Sequence, residues 1–481
     1  MTKNCYARRP STTTKRCNTD RIIQPSPRAS LKVPQKLPSE IIQIDDNLVL
    51  RTATIDDAEQ TVELNRLVHG NPEKNEPSDD VAAWTADLFA GYNDAISPSD
   101  FTVVEDTSTK QIVSTICLML QVWNIGGIDT PMGMPEIVGT HPDYRRRGLV
   151  REQFDLMHQW SADRGQLFNT ILGIPNYYRQ FGYELAIDAY GGSMTSLDLL
   201  KQVSLKDDEK LPFTARDAER SDAQFISDIY KNIHDRAFVT VVRNPKIFET
   251  ELFKRSEGSA WNWRARILEK DGKPVGVYMY GLEKNDNRGI RVDLFEIDKS
   301  INWLDASKSL LIDLQNLGKR FKFEGEIRAE MFEFSFGQNH PLYRMYREPL
   351  GVEKKPYAWY VRVADIGKLV THLTPLFETR LAESEMSGWS GEVRISFYKD
   401  GLQMTFEQGK LKSAISTGFI DRKDASANYH DLTFLRVLFG QKSFSEMREM
   451  YPDCFSSDHA MRTLQDILFG GPLPSAVLQV S

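Results

Sequence analysis

Residues Val138 to Arg151, VGTHPDYRRRGLVR, place a short basic turn containing one glycine between a strand-like and a helix-like run. Met134 to Thr140 (MPEIVGT) is apolar and β-branched enough for a strand, and His141-Pro142-Asp143 stops it. From about Gly148 a helix follows, with Leu149, Val150, Phe154 and Met157 at helical spacing and Arg151, Glu152 and Asp155 polar. A strand that turns this abruptly into an amphipathic helix constrains the fold to mixed α/β layers. It also leaves the first N–H groups of the helix without intrahelical partners, where the dipole adds about half a positive charge. Arg145, Arg146 and Arg147 add charge, and Gly148 lets the backbone approach a phosphate with no Cβ in the way. Taken alone, the turn reads either as a basic cap on an ordinary helix or as a pyrophosphate cradle.

Downstream, Gly173 to Gly192 reads GIPNYYRQFGYELAIDAYGG. The two stretches together resemble the GNAT acetyltransferase superfamily. The first matches its Arg/Gln-x-x-Gly-x-Gly/Ala signature as Arg145-x-x-Gly148-x-Val150, with Val in place of the last small residue, and the second its tyrosine-bearing helix and strand. The resemblance implies acetyl-CoA as co-substrate. Arg145 to Val150, including Arg146, Arg147 and Leu149, would hold its pyrophosphate, and Val138, Gly139 and Thr140 its pantetheine arm and polarised carbonyl. Tyr178 aligns with the tyrosine that protonates the leaving thiolate, Tyr177 and Tyr183 being the neighbouring choices. Glu136, two residues before Val138, reads either as the group that deprotonates or binds the amine, or as a solvated strand-start carboxylate.

The chain has 481 residues, more than one core covers. Four segments are expected. Residues 1–40, basic and rich in Ser, Thr and Pro, form a disordered tail, with an organelle transit segment as the alternative. Residues 41–205 carry the strands and helices of a first GNAT domain. Residues 206–350 repeat its beginning: FTARDAERSDAQFISDIYKNIH, then a hairpin around Lys270-Asp271-Gly272. The helix expected at Ile301 to Asn316 offers neither Gly nor an Arg cluster, so this copy reads as degenerate. Residues 351–481, with a helix at Asp365 to Ala382, three short strands and two closing helices, resemble a sterol carrier protein fold. The whole is similar to the enhanced intracellular survival family of acetyltransferases, so the expected fold class is α/β (α+β).

A net charge of −7 argues against a general nucleic-acid binder. Cys5, Cys17, Cys117 and Cys454 show neither metal nor disulfide spacing, which reads as cytoplasmic with no metal. No run approaches the length of a membrane span. The resemblance further implies a homo-oligomer, an amine acceptor that is a small molecule or a lysine side chain, and a terminal carboxylate acting as base, which would make Ser481 a catalytic candidate. Trp84, Asp87 and Trp123, with Phe89 and Tyr92, fall in the segments that flank the acceptor, as a cation-receptive surface or as plain core. The competing reading is a non-catalytic binding protein that uses the C-terminal apolar groove and keeps a vestigial acetyl-CoA site.

Overall fold

In the computed structural model, the described residues are 41–478 apart from 72, 75, 92–94, 284–288, 324–326 and 457. The expected basic tail and Ser481 lie outside them. The architecture is mixed α/β, built on a ten-stranded and a seven-stranded sheet with a smaller four-stranded one towards the C-terminus.

Leu48–Thr52, Phe101–Asp106, Gln111–Ile125 and Ile128–Thr140 pair antiparallel in sequence order. Their alternation buries one row against the helices Ala58–Val68 and Asp79–Phe89 and the other against Leu149–Asp163. Ile128–Thr140 then runs parallel to Phe168–Ile171, but the pairing covers Met132 and Gly133 only. From Met134 onward the two strands diverge. The divergence accompanies a bulge in which Ile137 adopts φ +52, a costly conformation for a β-branched residue.

The seven-stranded sheet repeats this plan. Thr214–Asp217, Arg264–Lys270, Lys273–Glu283 and Gly289–Ile297 again pair antiparallel, and Gly289–Ile297 again meets a parallel neighbour, Met331–Phe334. One side-chain motif marks the correspondence. Arg51 bridges Asp57 at 2.7 Å and Glu105 at 2.9 Å, while Arg216 bridges Asp222 and Glu269, both at 2.7 Å. In each copy the Asp also accepts from the backbone N–H three residues before it, at 2.7 Å.

The sheets do not respect the boundaries drawn near 205 and 350 from the sequence. Gly192–Ser196 crosses into the second sheet, beside Met331–Phe334 and Val352–Lys354. Tyr357–Arg362 returns to the first, wedged between Phe168–Ile171 and Glu184–Ala189. Further along, the expected helix at 365–382 breaks into Ile366–His372 and Thr374–Ala382, because Pro375 has no N–H to continue the first. The strands Gly391–Ser396, Gly401–Glu407 and Lys410–Thr417 form the meander expected there. Phe377, Leu464, Leu468 and Phe469 are buried in the same core cluster as the first sheet. No helix among the described residues is long and apolar enough to cross a membrane.

Candidate active site

Where Ile128–Thr140 and Phe168–Ile171 part, a cleft of about 820 Å³ opens. Its lining runs from Trp84 and Glu136 at one end, past Val138, Gly139, Thr140 and Tyr178, to Arg145–Arg151 at the other. The sequence placed all of these in the site except Arg151.

The turn between strand and helix has the geometry of an anion cradle. Arg146 sits at φ +64 and Gly148 at φ +81, left-handed conformations that turn successive N–H groups to one side. The helix Leu149–Asp163 starts directly after Gly148, which has no side chain to cap it. Arg145 Nε donates to the Thr140 carbonyl at 3.3 Å, tying the turn to the strand end. Arg147 is committed elsewhere: it bonds Asp45 at 2.6 Å and lies 5.4 Å over the ring of Tyr144, whose hydroxyl donates to Asp106 at 2.7 Å. Arg151 stacks on Phe181 at 5.1 Å and donates to Gln180 at 3.0 Å. Arg145 and Arg146 are exposed, so their charge faces solvent. Val150, which departs from the small residue of the signature, is half-buried against the core cluster of Phe154 and Met157.

Gly139 is required by packing rather than by dihedral angle. A Cβ there would lie 2.8 Å from Val68 Cγ2 and 3.0 Å from Asn65 Oδ1, on the helix behind the strand. Gly139→Ala is therefore expected to lose about 1–3 kcal/mol of stability, read as a lower urea midpoint with an unchanged slope.

Two titratable groups line the inner cleft. Glu136 is 9% exposed, and its Oε1 has no hydrogen-bond partner among the described residues. Burial pushes its carboxyl up to about 8. Tyr178 is 6% exposed, and burial first, then the charge of Glu136, raises its phenol well above the ordinary value. It stays protonated at neutral pH. Its ring rests edge-on to Phe154 at 5.9 Å, and the backbone passes so close that a Cβ on Gly173 would come within 2.5 Å of it. Tyr183 is fully buried and its hydroxyl bonds His158 at 2.9 Å; Tyr177 lines the cleft nearer the surface.

Of the three residues placed at the acceptor, the structure brings only Trp84 to the cleft. It is 6% exposed, packs against Trp261 at 6.1 Å, and its Nε1 has no partner among the described residues. Asp87, three residues further along the same helix, does not line the cleft; it accepts from the Ser256 N–H at 3.2 Å and from the Ser256 hydroxyl. Trp123 is core: it packs between Phe168 and Trp359 and donates to Gln121 at 2.9 Å. Tyr92 lies outside the described residues. Val81, Val68 and the exposed His69, which close the Trp84 end of the cleft, were not singled out from the sequence. Ser78 followed by Asp79 and Asp80 was a legible helix start that would have put Val81 and Trp84 on one face.

The equivalent place in the second sheet is filled. Its helix, Trp303–Arg320, starts at Asn302, whose side chain accepts from the Asp305 N–H, so the cradle is capped from within. Phe295, Trp303, Phe336 and His340 pack together there, with ring centroids 4.5 to 5.4 Å apart for Phe336–His340, Trp303–His340 and Phe295–Trp303.

The splayed strand, the basic turn and the tyrosine loop together line this one cleft. Residues 49–186 match the family model described as acetyltransferase (GNAT) domain, so the chain carries a GNAT acetyltransferase domain in its first part. Over most of its length the fold is shared with several solved structures. A GCN5-related N-acetyltransferase from Anabaena variabilis superposes with a TM-score of 0.63 at 12% identity, covering 88% of this chain and 97% of that one. A probable N-acyltransferase from Enterococcus faecalis V583 gives 0.63 at 14%, covering 90% and 100%. Eis1 from Mycobacterium abscessus gives 0.58 at 13%, covering 90% and 99%. No curated protein sequence matches the chain.

Proposed function

We propose that this protein transfers the acetyl group of acetyl-CoA to a primary amine by direct attack on the thioester. The observation that carries the reading is the pairing of Glu136 and Tyr178 in one cleft that ends on the Arg145–Val150 cradle. The cradle suits a pyrophosphate through its N–H groups and arginines, and the parted edge of Met134–Thr140 offers backbone groups to an extended pantetheine arm.

The amine nitrogen attacks the thioester carbonyl carbon, the C–S bond breaks, and two proton transfers balance the step. Glu136 takes the proton that the amine loses, and Tyr178 gives one to the sulfur. A carboxyl held near 8 by burial is matched to this task, since it is ionised at mildly alkaline pH yet basic enough to accept an amine proton. Turnover is therefore expected to rise with pH through about 8, as Glu136 ionises. Glu136→Gln should remove that limb and lower kcat by about 10²-fold or more, read from the pH profile of kcat/KM. A limb that persists in Glu136→Gln assigns the base elsewhere.

Trp84, Val68 and Val81 wall the acceptor end, so the reading favours an amine carried on an apolar or aromatic body. We further read the C-terminal layer as a sterol-carrier-like module attached to the enzyme, and the protein as a cytoplasmic homo-oligomer. Size measurement in solution tests the last point.

A further inference from the structure

The strand Tyr357–Arg362 lies between the two strands that flank the Tyr178 loop. It anchors that loop at three points. The Asn176 N–H donates to Tyr360 Oη at 2.6 Å, Tyr360 Oη donates to the Ile174 carbonyl at 3.4 Å, and Tyr357 Oη donates to the Gly173 carbonyl at 2.9 Å. Tyr360 has no exposed surface, and a hydroxyl buried that deeply is costly unless it is bonded. Both its partners are backbone groups of the loop. Asn176 is held at φ +64, a conformation that the shorter of these bonds fixes from outside. The ring of Tyr360 meets that of Tyr178 edge-on at 5.5 Å, and the Gly173 backbone gripped by Tyr357 is the one on which the Tyr178 ring rests.

We infer that Tyr360, assisted by Tyr357, is a positioning residue for the reaction: it fixes the loop so that the Tyr178 hydroxyl stands in the cleft. The inference rests on the reading of Tyr178 as the acid. A strand 184 positions downstream of the loop thus completes the active site, and the first GNAT segment is not self-sufficient.

Tyr360→Phe in the full chain keeps the ring packing and removes both loop bonds. Hydrogen exchange at the Asn176 amide, which needs no substrate, is expected to quicken by about tenfold or more. The kcat should fall by about tenfold or more with the KM for acetyl-CoA unchanged, because the cradle is untouched. Tyr357→Phe, at the exposed start of the strand, should act in the same direction more weakly and serves if the buried variant folds poorly. Unchanged exchange at Asn176 overturns the anchoring, and a freed loop with undiminished kcat overturns the positioning role. Tyr178→Phe assayed alongside separates the failures: full activity there overturns the reading of Tyr178 itself, whereas an inactive Tyr178→Phe beside a fully active Tyr360→Phe overturns only the inference.

Discussion

Tyr178→Phe is expected to lower kcat by about 10²- to 10⁴-fold while leaving the affinity for acetyl-CoA unchanged. The substitution removes one oxygen. The ring keeps its contacts with Phe154 and Tyr360 and its place against Gly173, so neither the loop nor the cradle has reason to move. What is lost is the proposed proton donor, a group that burial and Glu136 keep neutral across the working range. Without it the thiolate must leave unprotonated or wait for water. Single-turnover rates beside calorimetric affinity would separate the two effects. Undiminished turnover would mean that Tyr177, at the outer part of the same cleft, or solvent supplies the proton.

Gly148→Asp has the second large effect, and it falls on binding. A Cβ at Gly148 would meet nothing within 4 Å, and Asp tolerates the left-handed conformation better than most residues, so the turn should survive. The new carboxylate, however, stands among the N–H groups that would face a phosphate. At an effective dielectric of about 20, a like charge about 4 Å away costs about 4 kcal/mol, or about a thousandfold in Kd. Calorimetry of acetyl-CoA checks this directly. Retained affinity would place the pyrophosphate outside this turn.

How much of this was legible beforehand follows the range of the interactions. The cradle was readable because everything that builds it is local: a strand end, a breaker, three arginines, a glycine and a helical period within about fourteen residues. Glu184–Ala189 and the Phe101–Asp106 hairpin were readable for the same reason, since alternation and turn residues specify them. What the sequence concealed lies in pairings across long separations. Tyr357–Arg362 reads as the opening of a C-terminal domain, yet it is buried on both faces of the first sheet because Trp359 and Tyr360 each face a different apolar cluster there. Trp123 and Asp87 show the same limit from the other side. An aromatic residue on a long strand and an acid on a helix fit an acceptor surface as well as they fit a core; only the packing of Trp123 on Trp359 and of Asp87 on Ser256 distinguishes them. The bulge at Ile137, beside which the strands part, has no local signal at all, because no residue in MPEIVGT favours positive φ before the glycine.

One site on this chain, the first-sheet cleft and not its second copy, is expected to hold acetyl-CoA. Calorimetric titration of acetyl-CoA into the purified full chain tests it without knowledge of the acceptor. One site per chain, abolished in Gly148→Asp and retained in Tyr178→Phe, is the predicted result. No binding, or two equivalent sites per chain, would contradict it.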